Sequence, residues 1–578
     1  MIVKAFHRMR SSVLSPGPFG IIAMVALLVT TAIGFIVLLI QEQYFQNHPL
    51  PFDHVAYVLR YATLYTQTVS EPAWSVAWRE WGGHIRGPGL FAPLVLFAPE
   101  LLSHRFGYLV LFLPIFFFFL LLLGWFVYRR TKSTPYAILC IVFFSAFPGL
   151  YLPAFGLGAF WLDLPVSYLV ASAGICLLLS EMGRNLRWLA AFAIFSGFAI
   201  VSRFVSVFYL VGMLGPIFLY YLVRMGISDK SANPSLRAFT LVGAIVALIA
   251  AYPALKLMPS LVEWHLSVGA VHHGLEATFY EFVIKLGRYT DGWGLPVVLG
   301  GVLLINLMFL GDWKRWKEQG GLLWLGISFP LLLLFVIQSA AHEQVALYAV
   351  PTAFLLCVTP LPWRRNLDWR LSRMILTKMI LASFVIFIGI TIGAYKTWIS
   401  TEKELFSPHP YFPEAKKLSL ELGKAIGDQG DRIVWNGYFG QFAGQVSMES
   451  FYATGNLPLF AGEDEFFHDK IHPMDMWKYT FPDMTPRQVA EDVYKRTGKL
   501  VDVAVVYADP NNIKPKYQSL ELIGEYTREV ARYMAKTIAA DPRWKKIFVL
   551  EDTIYGPLAG YRNLNPDNKG FYEQRLYR

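Results

Sequence analysis

Long apolar stretches recur along the first 400 residues, and they constrain the fold more than any other feature of the sequence. The stretch 19–40 is apolar throughout and is long enough to cross the hydrocarbon core of a bilayer. Charged residues make up only 16% of the chain, whereas soluble domains carry about 25%. The sequence therefore predicts an integral membrane protein whose chain crosses the bilayer many times.

Apolar stretches of suitable length predict about eleven spans. They cover residues 19–40, 108–128, 135–152, 164–180, 188–202, 205–223, 238–256, 294–311, 321–338, 345–361 and 374–395. We expect the first to be an anchoring helix rather than a cleaved signal, because its apolar run is too long and no A-x-A-like site follows it.

Basic residues cluster beside the first span and after alternate later spans, which assigns one side of the bilayer to the cytoplasm. The clusters are Lys4, Arg8 and Arg10; Arg129, Arg130 and Lys132; Arg184 and Arg187; Arg224 and Lys230; Lys314, Arg315 and Lys317; and Arg364, Arg365, Arg370 and Arg373. The N-terminus is then cytoplasmic and the C-terminal part lies outside. Since the net charge of +10 largely reflects these loops, we expect no nucleic-acid partner.

Four segments between spans face outward in this topology, at 41–107, 153–163, 257–293 and 339–344. In the first outer loop, residues 53–69 carry apolar groups at helical spacing, which predicts an amphipathic helix on the membrane surface. Trp74, Trp78 and Trp81 suit the membrane interface. Residues 89–102 are apolar but interrupted by prolines, which predicts a re-entrant or surface helix.

Charged residues return from Ser400 onward, and helix and strand patterns alternate. This predicts a small α/β domain. The predicted helices are Glu414–Ile426, Pro486–Arg496 and Leu520–Ala540, and the predicted strands are Arg432–Trp435, Val501–Tyr507, Ile547–Leu550 and Leu558–Tyr561.

Two carboxylates at predicted span ends are the first candidates for chemistry, because ionisable groups at a membrane are costly and usually functional. Asp53 begins the amphipathic segment of the first outer loop, and Asp163 precedes the fourth span. Each has a structural alternative as a helix N-cap, and Pro165 suits the first turn after Asp163. Their occurrence on successive outer loops favours a shared cavity mouth.

Arginines on the same side suit an anionic ligand, since guanidinium binds phosphate and carboxylate with two hydrogen bonds. Arg203 has apolar flanks between the fifth and sixth spans, and the structural alternative is an ion pair with Asp163 or another acid. Arg86 lies among glycines before the re-entrant segment, and its alternative is a solvated turn.

A polar turn at His342, Glu343 and Tyr348 provides a possible further wall of the cavity.

A metal site on the third outer loop remains open, although the spacing of its candidates is not typical of ligands. They are His265, His272, His273 and Asp291. Cys140, Cys176 and Cys357 lie in apolar spans and suggest neither a disulfide nor a metal clip. No Walker, G-x-S-x-G or H-E-x-x-H motif is present.

This layout over residues 1–360 resembles the GT-C membrane glycosyltransferases. Within that superfamily it is most similar in style to the lipid A aminoarabinose transferases and the protein O-mannosyltransferases. The segment 53–57 (DHVAY) is similar to the family's acidic residue and following aromatic, and 86–90 (RGPGL) to its charged-residue–proline segment, although the usual acid-Lys-Pro-Pro is missing. Asp163, Arg203 and the Tyr348–Pro351 turn fit in order and spacing. His54 replaces the second acid found in many relatives, which puts a divalent-metal site formed by an acidic pair in doubt.

The resemblance implies an inverting transferase that moves a sugar from a polyprenyl-phosphate donor to a lipid, glycan or protein acceptor on the outer face of the inner membrane. Asp53 would act as general base and Asp163 would orient a substrate, while no cofactor is required and a divalent metal is possible. Substrate contacts are expected from Tyr57, Arg60, His84, Arg86, Arg203, His265, His342, Glu343 and Tyr348.

The expected architecture is a polytopic helical domain at 1–399, with the first outer loop 41–107 forming surface helices, followed by a periplasmic α/β domain at 400–578.

Three functional alternatives stay open from the sequence. A glycan ligase or polymerase that uses a lipid-pyrophosphate oligosaccharide would share the topology, and a flippase would place charges near mid-membrane and show inverted repeats. A non-enzymatic scaffold would need no clustered acids and arginines on its outer loops. The C-terminal domain could bind the acceptor, cap the cavity, hold a partner or serve as a rigid lid.

Overall fold

The computed structural model describes two parts of the chain, on either side of a long undescribed stretch between 257 and 411. The described residues are 17–48, 64–65, 67–68, 71–81, 89–145, 150–151, 156–159, 162–180, 185–203, 206–207, 210, 238, 240–256, 412–426, 433–436, 457–459, 484–497, 501–513 and 525–566.

The chain divides into two compact units. The first contains Met1–Gln41, Glu80–Leu90 and Leu109–Lys403, and the second contains Glu42–Arg79, Phe91–Tyr108 and Glu404–Arg578. The structure is mostly helical, with a small sheet in the C-terminal part of the second unit.

Apolar helices build the described part of the first unit. They are α1 (Pro18–Asn47, whose last turns belong to the second unit), α4 (Leu109–Thr131), α5 (Thr134–Ser145), α6 (Asp163–Leu179), α7 (Leu186–Ser202) and α8 (Thr240–Lys256). Among the described residues, two helices are long and apolar enough to cross a membrane, at Pro18–Gln46 and Leu109–Arg129. The shorter apolar helices coincide with predicted spans, and the eleven-span count stays a prediction.

Glycines let these helices approach closely. A Cβ added to Gly34 of α1 would lie 2.9 Å from Leu113 Cδ1, and one on Gly124 of α4 would lie 2.6 Å from Ile141 Cδ1. Between α7 and α8, a Cβ on Gly197 would lie 2.8 Å from Ile249 Cγ2. Small residues at such crossings are the usual means of packing apolar helices, because the gain comes from van der Waals contact.

The predicted span 135–152 is only partly helical in the structure. Helix α5 ends at Ser145, and the described residues Leu150 and Tyr151 are not α-helical. The Tyr151 hydroxyl donates to the Ser145 carbonyl at 2.7 Å, so this side chain lies at the end of the described helix.

The first outer loop is helical in several short pieces. They are α2 (Ala73–Trp81), a 3₁₀ turn at Gly89–Phe91, α3 (Ala92–Phe97) and a 3₁₀ turn at Pro99–Ser103. The segment 89–102 is thus broken rather than one continuous helix, because Pro93 lies in the first turn of α3 and Pro99 begins the second 3₁₀ turn.

The two ends of the first outer loop meet within the second unit. The Phe45 and Phe106 rings stack with centroids 5.7 Å apart, and the Arg105 guanidinium lies 5.7 Å from the Phe45 centroid. The base of the loop is therefore closed by aromatic and cation–π contacts.

The C-terminal part folds as a mixed five-stranded sheet with helices. The helices are α9 (Phe412–Ile426), α10 (Pro486–Thr497) and α11 (Glu525–Ala540), and the strands are β1 (Ile433–Asn436), β2 (Leu457–Leu459), β3 (Val503–Tyr507), β4 (Trp544–Leu550) and β5 (Leu558–Asn563). The order is β2-β1-β3-β5-β4, with β1 parallel to β2 and β3, and β5 antiparallel to β3 and β4. Every residue of β3 is buried, as expected for a central strand.

Some residues of the first outer loop and of the end of α1 pack on this α/β core. Tyr65 contacts the hydrophobic core cluster, and its neighbour Leu64 is fully buried. The Lys416 ammonium of α9 donates to the Gln46 carbonyl at 3.3 Å. The described residues 64, 65, 67 and 68 are helical, and the apolar side chains of Leu64 and Tyr65 are used in packing within the second unit. Most of the segment 53–69 lies outside the described residues, and its contact with a membrane surface stays a prediction.

Candidate functional site

Helices α6 and α7 form a hairpin that sets the geometry of the candidate site. Each has 17 residues, they pack along each other, and only a short connection separates them. Two antiparallel helices of equal length bring the start of the first beside the end of the second. Asp163, the first residue of α6, and Arg203, which follows the last residue of α7, therefore lie at the same end of the hairpin.

Asp163 stands inside the helix rather than at its cap. The cap position belongs to Leu162, which has helical dihedral angles and makes no side-chain cap hydrogen bond. This does not match the N-cap alternative for Asp163. A carboxylate at the first helical position is still favoured, because the unsatisfied N–H groups of the first turn carry partial positive charge.

Arg203 ends α7 in an extended conformation, with φ −157° and ψ 113°. Its backbone N–H donates to the Ala199 carbonyl at 2.9 Å, and its carbonyl accepts from the Ser206 N–H at 3.0 Å. The side chain is half-buried. The partial negative charge at the helix C-terminus favours a guanidinium there, so α7 stabilises the positive charge of Arg203.

The first outer loop returns to the last turns of α7 just before Arg203. The Trp81 ring meets Phe198 edge to face, with centroids 5.9 Å apart. A Cβ added to Gly89 would lie 2.2 Å from Val201 Cγ1 and 3.3 Å from the Trp81 carbonyl oxygen. Trp81 and Gly89, the two described residues that flank 82–88 in the sequence, therefore both lie against the end of α7.

The second outer loop packs on α1 at a matching glycine. A Cβ added to Gly158 would lie 2.3 Å from Val37 Cγ1 and 2.6 Å from Gln41 Cγ. Gly158 precedes Asp163 by five residues, so the loop that leads into α6 is held against the C-terminal half of α1.

One polar group near Arg203 was missed by the sequence analysis. Ser206 is fully buried, and its hydroxyl has no hydrogen-bond partner in the part of the chain that the structure describes. A buried hydroxyl without a partner is costly, and it is available to a ligand. Its position three residues after a candidate arginine was the only sequence signal that could have found it.

Most predicted site residues lie outside the described residues. They are Asp53, Tyr57, Arg60, His84, Arg86, His265, His342, Glu343 and Tyr348, and the Asp163 side chain is also not described. Among the described residues, no group of three or more His, Cys, Asp or Glu side chains could hold a metal ion. The candidates on the third outer loop, His265 to Asp291, lie outside the described residues.

A second polar cluster joins α10, α11 and β4 in the C-terminal domain. The Tyr494 hydroxyl donates to the Asp541 carboxylate and accepts from Trp544 Nε1 at 2.9 Å and Arg543 Nη2 at 3.0 Å. Hydrogen bonds from Arg543 hold the pKa of Asp541 well below its usual range, and burial raises the pKa of Tyr494. These groups satisfy one another, so we interpret the cluster as structural.

Comparison with known proteins adds no assignment. No protein-family model matches the chain, and no curated protein matches it significantly.

Proposed function

We propose that this chain is a GT-C-like inverting glycosyltransferase that moves a sugar from a polyprenyl-phosphate donor to an acceptor on the outer face of the inner membrane. The observation that carries the proposal is the arrangement of the α6–α7 hairpin, which brings Asp163 and Arg203 to one end. The contacts of Trp81 and Gly89 with the last turns of α7 support it, because His84 and Arg86 lie between these two residues in the sequence. The predicted topology puts that end outside.

The donor class follows from the predicted location of the site. Nucleotide sugars stay in the cytoplasm, so an outward-facing transferase needs a donor that is carried across on a lipid. A polyprenyl chain suits the apolar helices of the first unit, where side chains such as Leu27, Leu28 and Phe35 of α1 are exposed. Such a donor presents its phosphate at the membrane surface, where the candidate arginines lie in the predicted topology.

The proposed reaction is a single displacement. An acceptor hydroxyl or amine attacks the anomeric carbon, the bond from that carbon to the phosphate oxygen breaks, and the configuration inverts. Asp53 takes the acceptor proton, and Arg203 with Arg86 stabilises the negative charge that grows on the departing polyprenyl phosphate. Asp163 orients the acceptor or the donor sugar.

The test is transfer in vitro from a panel of polyprenyl-phosphate sugars, with released polyprenyl phosphate as the readout. We compare the wild type with Asp53→Asn and Asp163→Asn. Glu491→Gln is the matched control, because this carboxylate is half-exposed and paired with Arg487 on the surface of α10. A loss of about a hundredfold for Asp53→Asn with an unchanged control would support a general base.

Other outcomes separate the alternatives. Unaffected turnover in Asp53→Asn would overturn the base assignment. Turnover only with lipid-pyrophosphate oligosaccharides would favour a glycan ligase or polymerase. Movement of lipid-linked sugar across proteoliposomes without any transfer would favour a flippase.

A further inference from the structure

Arg79 of α2 carries two buried nitrogen atoms that the fold leaves without partners. Its Nη1 pairs with Glu71 Oε2 at 2.6 Å. Its Nε and Nη2 are shielded from solvent and donate to no acceptor among the described residues, although 27% of the side chain is exposed. The exposed surface therefore belongs to other atoms of this side chain.

The two unpartnered nitrogens form one edge of the guanidinium plane. Nε–H and the outer N–H of Nη2 point in parallel, and this edge matches two oxygens of a phosphate or carboxylate. The carboxylate of Glu71 uses the remaining nitrogen. The pair leaves the matching edge available, and a buried charged donor without an acceptor costs more than an ordinary missing hydrogen bond.

The remainder of α2 explains why Arg79 is held in this position. Val76 and Ala77 are buried, whereas Trp74 and Trp78 are 68% and 58% exposed. The helix is thus fixed by its apolar face, and the ion pair with Glu71 ties Arg79 to the turn before the helix. A side chain restrained in this way loses little further freedom when it binds a ligand.

We propose that Arg79 is an oxyanion-binding residue whose Nε–Nη2 edge takes two oxygens of a phosphate group. The edge is covered from solvent in this conformation, so binding requires neighbouring groups to move apart. Resting on the proposed function, the occupant is the phosphate of the lipid-linked donor. Free phosphate and a phospholipid headgroup offer the same chemistry, and the experiment distinguishes these three sources.

The experiment measures binding of farnesyl phosphate to the full chain in nanodiscs, with farnesol as the uncharged probe. We expect Arg79→Gln to weaken farnesyl phosphate binding about tenfold or more, as for a lost charged hydrogen bond. Arg79→Lys keeps the charge and loses the planar edge, so its affinity for farnesyl phosphate should lie between those of the wild type and Arg79→Gln. Glu71→Gln should strengthen binding severalfold, because it removes a negative charge beside the site. Arg487→Gln is the matched control, since this arginine is 69% exposed and lies on the surface.

The source follows from competition. Displacement of farnesyl phosphate by inorganic phosphate indicates a site for free phosphate, and its displacement by anionic phospholipid in the nanodisc indicates a headgroup site. Resistance to both competitors indicates a site for the polyprenyl phosphate. Each outcome supports an oxyanion site if Arg79→Gln abolishes the binding. Equal binding by wild type and Arg79→Gln overturns the proposal. The double variant Glu71→Gln with Arg79→Gln removes both charges of the ion pair. Comparison of its melting temperature with that of Arg79→Gln shows whether the single variant has a folding defect.

The outcome is separable from the proposed function. Arg79-dependent phosphate binding without sugar transfer would retain this site and reject the transferase. Asp53-dependent transfer with normal binding and turnover in Arg79→Gln would reject this site alone.

Discussion

Gly89 offers a sharp test of how the first outer loop is attached to α7. Alanine at this position would place its Cβ 2.2 Å from Val201 Cγ1, so one of the two must move by about 1.2 Å to reach the 3.4 Å of ordinary contact. Val201 is buried, and its β-branched side chain has one strongly preferred rotamer in a helix. The Trp81 carbonyl oxygen, at 3.3 Å, limits movement of Gly89 itself.

The expected cost of Gly89→Ala follows from these contacts. Overpacking of this kind costs about 1–3 kcal/mol, and the loss of glycine freedom in the unfolded chain returns roughly 0.4–1 kcal/mol. Since both neighbours are restrained, we expect a net destabilisation of about 2 kcal/mol. Val201→Ala removes the clashing methyl group, so Gly89→Ala should cost about 0 kcal/mol in that background, with a coupling energy of roughly 2 kcal/mol.

The assay is a double-mutant cycle on the free energy of unfolding, measured by titration with sodium dodecyl sulfate in mixed micelles. Gly243→Ala is the matched control, because a Cβ there would meet nothing within 4 Å. This control should be neutral or stabilising by up to ~1 kcal/mol, as expected for alanine over glycine in a helix. A Gly89→Ala protein as stable as the wild type, or a penalty that persists with Val201→Ala, would refute the packing of the loop on α7.

Three further predictions concern the second unit. Tyr494→Phe removes the hydroxyl shared by three partners and should destabilise the C-terminal domain by about 1–2 kcal/mol in chemical denaturation; an unchanged midpoint would contradict this. Because the pKa of Asp541 is lowered in the folded state, its stabilisation is present above about pH 4 and is lost as pH falls through the folded-state pKa. Asp541→Asn should therefore flatten the acid limb of the stability–pH profile, and an identical limb would reject the assignment. Tyr65→Ala should expose the first outer loop to limited proteolysis, whereas unchanged cleavage would argue against its docking on the core.

The regular elements could be predicted from sequence because their signals are local. The length of the apolar stretches placed the ends of α4, α6 and α7 within three residues, whereas α1 continues to Asn47, seven residues beyond its predicted end. Alternating patterns placed the three helices and four of the five strands that follow residue 412, and the short strand β2 was missed. β3 was readily found because all five of its residues are buried, which requires a run of apolar side chains. The same reasoning placed Asp163 and Arg203 at span ends, and the hairpin brings those ends together.

The contacts of the first outer loop could not be predicted because they join residues far apart in sequence. Tyr65 has the spacing of an amphipathic helix, and that spacing is the same whether the apolar face meets lipid or protein. The sequence analysis noted Gly89 only as one of the glycines near Arg86, whereas its packing role depends on Val201. Arg79 was hidden among tryptophans, and only its geometry shows two buried donors without partners among the described residues.

The composition of the second unit has a consequence for biosynthesis. The segments Glu42–Arg79 and Phe91–Tyr108 are translated well before Glu404–Arg578. At about 5–20 residues per second, the roughly 300 residues between them take about 15–60 s to synthesise. During that delay Tyr65 has no core on which to pack. The loop that carries Asp53 can reach its final packing only after the C-terminal domain has emerged and folded, so a ribosome that stalls before residue 404 releases a chain with this loop unsupported.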